Sequence, residues 1–334
     1  MTAAASVPGI ARPDVPTLSR DLIAACLFAL SIVFVPWDVI RGAQFADIAN
    51  YAARMQAIAD HGPHYFAWKD TIAGWISFEY FWFRLLVLAV QLGMEPETFI
   101  QVVAIVCSIL TYRFMAARIG PWIPFIILTN PISIDLLSSQ SRSALAFALF
   151  LTIVDMLPSW RHVHWRFACL AALPFIHTLS IAVIGIYAGS LFLAGTRRLS
   201  PLIKASLVVV AALSFVALVV AVLPSLIEAT GDRRDLNGYQ TKTLFYLTFW
   251  FALAGAIFLS YGPEACARWE FLFALFVVTS APLIEALGKP GFRFVALSIP
   301  LIWIAVTYAR QPLRTPLVWA CGLYWLLLVY YWVR

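Results

Sequence analysis

The stretch that decides the fold runs from Trp122 to Leu157 and reads WIPFIILTNPISIDLL (122–137), SSQSRS (138–143), ALAFALFLTIVDML (144–157). Two hydrocarbon-compatible segments flank a six-residue polar notch. The notch carries a single charge, Arg142, at the start of the second helical segment. A cation there is electrostatically misplaced, because a helix N-terminus already carries partial positive charge. Arginine together with free backbone N–H groups forms a place for an anion, most naturally a phosphate. The flanking Ser141, Ser143 and Ala144 are small enough to let a bulky anion approach.

The rest of the chain has the same character. Of 334 residues, 62% are hydrophobic and only 12% charged, where a soluble domain carries about 25% charged residues. Mean hydropathy is +0.86, and several apolar runs approach the ~20 residues that cross a bilayer. The expected fold class is therefore an all-α polytopic membrane protein of about 10–12 transmembrane or re-entrant helices. Its segments fall at roughly 21–37, 79–93, 98–117, 121–137, 142–157, 165–178, 180–194, 205–227, 244–261, 269–287, 294–310 and 315–333. Residues 1–20, rich in Ala and Pro, read as a disordered cytoplasmic tail, and 21–334 as one integral membrane domain. The net charge of +6 reports topology in such a protein and does not indicate nucleic acid. Arg113/Arg118, Arg161/Arg166, Arg197/Arg198/Lys204 and Arg310/Arg314 all fall on the cytoplasmic side if the N-terminus is inside and 79–93 dips into the membrane without crossing. The loop 38–78, the notch at Arg142, the turn at His177, the loop 228–243 and the turn 288–293 then face outward. Within 38–78, Phe45, Ile48, Ala52, Met55 and Ala59 form one stripe, with Asp47, Asn50, Tyr51 and Arg54 opposite. That pattern predicts a helix lying in the membrane interface. The five scattered cysteines form no CxxC or Cys/His cluster and read as small hydrophobes in helix packing.

Five places carry polar chemistry out of keeping with a lipid-facing chain. Arg41, Asp47 and Tyr51 follow the first helix and read either as anion- and sugar-binding groups with a general base, or as the wet face of an interfacial helix. Glu79-Tyr80 opens segment 79–93, and a carboxylate at the mouth of a membrane-dipping element is costly unless paired; Glu79 reads either as a catalytic base or sugar-hydroxyl ligand, or as an interfacial charge in water. Arg84 lies roughly 140° around the helix and is not its obvious partner. Arg142 binds an anion or reaches lipid headgroups. His177 has an ordinary pKa near neutrality and suits proton transfer; alternatively it bonds the carbonyl that Pro174 frees. In Glu285 to Arg293, the basic Lys289 and Arg293 precede another helix, starting near Phe294, and either repeat the Arg142 arrangement or form a basic turn at the membrane surface. The run Asp232-Arg233-Arg234-Asp235, with Tyr239 and Lys242, reads as a solvated, mutually neutralising charge cluster. P-loop, GxGxxG, HExxH and GxSxG motifs are absent, and neither a cofactor nor a metal is expected.

In their order, these features resemble the EpsG family of bacterial exopolysaccharide proteins, within the Wzy-type polymerases. The matches are Asp47 with Tyr51, Glu79 with Tyr80, Arg142-Ser143-Ala144, His177-Thr178-Leu179-Ser180 and Arg293-Phe294, spread over roughly residues 20 to 310. Such polymerases are similar in plan to GT-C glycosyltransferases. The resemblance implies transfer of a growing glycan from undecaprenyl diphosphate to another lipid-linked repeat unit, with inversion, at the outer face of the inner membrane. It implies Arg142, supported by Arg293 or Arg41, on the donor pyrophosphate. It implies His177 or Asp47 as general base, and Glu79, Tyr51 and Tyr80 on the substrate. A flippase and a chain-length regulator are the implied partners, beside membrane lipid. Three other functions stay open at this point: a GT-C enzyme using a polyprenyl-phosphate sugar, a transporter or flippase for a lipid-linked glycan, and a non-catalytic assembly partner in a polysaccharide machine.

Overall fold

A computed structural model describes residues 15–42, 45–63, 71–156, 163–230, 244–289 and 291–333. Among them the chain is helical throughout, with no strand. The helices are α1 (Val15–Phe34), α2 (Trp37–Arg41), α3 (Ala46–His61), α4 (Ile72–Ser77), α5 (Tyr80–Gln91), α6 (Pro96–Ile119), α7 (Ile123–Leu128), α8 (Pro131–Ser138) and α9 (Ser141–Met156). They continue as α10 (Val163–Leu170), α11 (Ser180–Gly195), α12 (Pro201–Thr230), α13 (Leu244–Leu259), α14 (Pro263–Cys266), α15 (Trp269–Ala286), α16 (Phe292–Thr307) and α17 (Gln311–Val333). Four described helices are long and apolar enough to cross a bilayer: α6, α12 (over Pro201–Val222), α15 and α17. The bent pair α8–α9 makes a fifth if taken as one broken span. The protein is an all-α polytopic membrane protein.

The structure corrects the sequence reading at three places. Helix α1 begins at Val15, so 15–20 are helical, and 1–14 and the loop charges at 231–243 lie outside the described residues. The run 121–137 is two helices: Pro131 starts α8, and the Asn130 side chain accepts from Ile132 N at 2.8 Å to cap it. Helix α3 exists as predicted but is rotated. Tyr51, Met55 and Ile58 are buried while Ala59 is exposed, because the Tyr51 ring packs on Trp82 at 5.3 Å. The buried side of α3 thus faces protein.

Contacts sort the helix ends into two layers. At one end Arg118 near the end of α6 binds Asp155 of α9 at 3.0 Å and Glu270 of α15 at 3.2 Å. At the same end Arg268 lies 5.5 Å from the Tyr308 ring. At the other end lie Arg41, Tyr51, Arg142, His177 and Arg293. Helices α6 and α9 run the same way between the layers. Phe99 near the start of α6 joins the second layer through Trp82 at 5.5 Å, and Arg142 opens α9. The core between them is aliphatic and aromatic, centred on α6, α9, α15 and α16. A 102° bend separates α8 from α9, and the polar notch 138–141 occupies that bend. Backbone groups freed at such a break need polar company, which apolar lipid does not supply.

Candidate active site

Glu79 stands at the junction of α4 and α5 with φ 55° and ψ 58°. It is the one non-glycine residue with positive φ among the described residues. Such a conformation costs on the order of 1–3 kcal/mol and persists where the surroundings over-determine it. The reversal is fixed on both sides: Glu79 N donates to Ile76 O at 3.1 Å, and Glu79 O accepts from Phe83 N at 3.0 Å. Thr71 caps the preceding helix through Gly74 N at 3.0 Å. The result is a carboxylate with a side-chain exposure of 3%.

Three groups hold that carboxylate. Oε2 accepts from Arg142 Nη1, and Oε1 meets His177 Nδ1 and accepts from Thr178 N at 3.4 Å. The anion that Arg142 calls for is therefore supplied by the chain itself, 63 residues away. Tyr51 completes the setting of Arg142: Nε donates to the phenol oxygen at 3.4 Å, and the guanidinium lies 5.8 Å from the ring centroid. Burial pushes the Tyr51 phenol above its ordinary value, so it stays protonated.

His177 lies in the turn between the 3-10 segment Leu173–Phe175 and α11, outside either helix. Its backbone N donates to Leu173 O, and its carbonyl accepts from Ser180 N, both at 3.0 Å. The ring turns to Glu79 and not to the carbonyl that Pro174 frees. A carboxylate only accepts, so Nδ1 carries the proton and Nε2 presents a lone pair. Nε2 is buried and has no hydrogen-bond partner among the described residues. Burial lowers the imidazole pKa below its ordinary 6.5, while Glu79 pulls the other way. The ring is neutral at neutral pH, and its basic nitrogen Nε2 is left without a hydrogen-bond partner among the described residues.

The other expected residues separate into those that join this group and those that do not. Arg41 Nη1 binds Asp135 Oδ1 at 3.3 Å. The charge of Asp47 is felt at Tyr51 and Asp135, and that of Arg293 at His177 and Asp135. Arg293 makes no salt bridge and no side-chain hydrogen bond among the described residues. Tyr80 turns elsewhere: its ring stacks on Trp75 at 5.5 Å and lies 5.6 Å from the Arg84 guanidinium. Asp135 and Gln140 are the members that sequence reasoning missed. A carboxylate within an otherwise apolar run is itself the signal, since such a charge is expensive unless used.

Arg293 is placed by two neighbours in sequence. Glu285 Oε2 accepts from Phe292 N at 2.7 Å and caps α16. Gly291 packs so closely on α15 that a Cβ there would stand 2.1 Å from Ala281 O. Gly291→Ala is therefore expected to push the start of α16 off α15. The expected loss is about 2 kcal/mol of stability, as for overpacking against a rigid neighbour, read as a lower unfolding temperature in detergent. Unchanged stability would show that the turn yields freely.

No protein-family model, no curated protein and no solved structure matches this chain.

Proposed function

We propose that this protein is a membrane glycosyltransferase that extends a glycan carried on undecaprenyl diphosphate, at the outer face of the bacterial inner membrane. The observation that carries the reading is the buried Glu79–His177 pair, whose Nε2 has no hydrogen-bond partner among the described residues, set beside arginines at one end of a membrane bundle. A carboxylate on Nδ1 fixes the tautomer and stabilises the imidazolium that forms when Nε2 takes a proton. In the reaction the acceptor hydroxyl gives its proton to Nε2 as its oxygen bonds the anomeric carbon. The bond from that carbon to the phosphate oxygen breaks, and its electron pair stays on the diphosphate. Displacement from the opposite face inverts the anomeric centre, and the imidazolium then returns its proton to water.

The arginines divide by availability. Arg142 is committed to a carboxylate of 3% exposure, and separating such a pair costs several kcal/mol. Its part is to hold Glu79. Arg41 and Asp135 are 33% and 22% exposed, a part-buried pair with a more accessible carboxylate than Glu79, so a diphosphate displaces it at lower cost than the Arg142–Glu79 pair. Arg293 needs no exchange. The diphosphate therefore goes first to Arg293 and then to Arg41, a change of order from the sequence expectation.

The test is the purified protein with lipid-linked repeat units extracted from its host. A ladder of lengthening glycans with release of undecaprenyl diphosphate is expected; addition of a single sugar, or no transfer, contradicts the reading. Arg293→Ala is expected to raise the donor KM about tenfold or more, as loss of a charge-assisted contact does, with Arg293→Lys recovering part.

A further inference from the structure

The bend between α8 and α9 holds polar groups that the Glu79 cluster does not use. Gln140 is 9% exposed and Ser141 0%. The Gln140 Nε2 donates to Asp135 Oδ2 at 2.9 Å, and Asp135 is in turn held by Arg41. Since a carboxylate cannot donate, the amide has one orientation, with its nitrogen toward Asp135 and Oε1 away from it. Among the described residues Oε1 is buried and has no hydrogen-bond partner, and the Ser141 Oγ beside it in sequence is likewise buried without one. A buried, oriented acceptor left unsatisfied costs free energy that a donor from outside recovers. Arg142 follows directly in the chain, so this acceptor adjoins the group that holds His177.

We infer that the α8–α9 bend is a saccharide subsite in which Gln140 Oε1 accepts from a sugar hydroxyl of the acceptor glycan, with Ser141 beside it and Asp135 as the residue that orients the amide. This rests on the glycan-transfer reading for the identity of the ligand. It assigns the site a selectivity: a ring lacking that hydroxyl leaves Oε1 unpaired and binds more weakly, the asymmetry by which sites built for a hydroxyl reject analogues without it. Asp135 is a positioning residue here, since it acts on the sugar only through the amide.

The probe is the oligosaccharide released by mild acid from polyprenyl-diphosphate glycolipids of the host, so that neither lipid nor phosphate contributes. Binding to the full-length protein in detergent is measured by calorimetry. Gln140→Met, close in volume and lacking the acceptor, is expected to weaken binding about tenfold, and Ser141→Ala, a smaller change, less. Asp135→Asn, which frees the amide to turn, is expected to weaken binding with Gln140 intact. Unaltered affinity in both Gln140→Met and Ser141→Ala, or no binding to the wild type, overturns the inference. Gln140-dependent binding without glycan transfer overturns the transferase reading and leaves a saccharide site. Transfer with Gln140-independent affinity does the reverse.

Discussion

Replacing Glu79 with glutamine is expected to lower glycan transfer by about a hundredfold or more and to destabilise the fold by about 2–3 kcal/mol. The shape survives and the charge does not. Arg142 keeps its place at the start of α9 with its guanidinium four-fifths buried and no carboxylate on it. One end of the new amide also presents N–H to a donor, either Arg142 Nη1 or the protonated His177 Nδ1. The partial exposure of Arg142 moderates the penalty, so the figure sits below that of a fully buried broken pair. Thermal unfolding in detergent and the transfer assay read the two effects separately. Glu79→Gly gives a second handle on the same position. It loses the same charge but relieves the left-handed backbone, so it should be about 1 kcal/mol more stable than Glu79→Ala. Equal stability of those two variants would show that φ 55° carries no strain.

His177→Asn is the second large effect, and it acts on rate far more than on fold. The asparagine amide can still donate to Glu79, which keeps the carboxylate satisfied, but it offers no basic nitrogen. Loss of a positioned general base costs about 10²–10⁴ in rate, with little change in the donor KM. The pH dependence has a definite sign. The base works when neutral, and burial lowers its pKa from 6.5. Wild-type transfer is therefore expected to be full at neutral pH and to be lost as pH falls through a value below 6.5. Stability moves the same way: the unfolded chain takes up the proton first as pH falls, so acid favours unfolding. The residual rate of His177→Asn should lack that acid limb, and an unshifted limb would assign it to another group.

The apolar segments were legible because lipid-compatible composition is a property of the chain alone, and most helices from α5 onward follow those runs within a few residues; 121–137 divides into α7 and α8, the run 165–178 is helical in α10 only to Leu170, and α14 has no run of its own. Arg142 was legible as a problem, a cation at a helix start in an apolar setting. Its solution was not. Glu79 lies 63 residues earlier and reaches Arg142 only because one residue adopts a left-handed conformation that no local pattern announces. Tyr51 was placed on the wet side of α3, since a phenol beside Asp47 and Arg54 looks polar; its ring is buried on Trp82 and only its oxygen serves the site. Asp135 was hidden by its neighbours. Ile132, Ile134, Leu136 and Leu137 made the run read as apolar, although the one charge within it ties Arg41 to Gln140.

The central claim is that Glu79 and His177 act as one catalytic unit. A double-mutant cycle on single-turnover transfer, using wild type, Glu79→Gln, His177→Asn and the double variant, tests it most directly. Residues that act as a unit are strongly non-additive, so the double variant should be no slower than the slower single variant. Rate losses that multiply would mean two independent roles and would contradict the account.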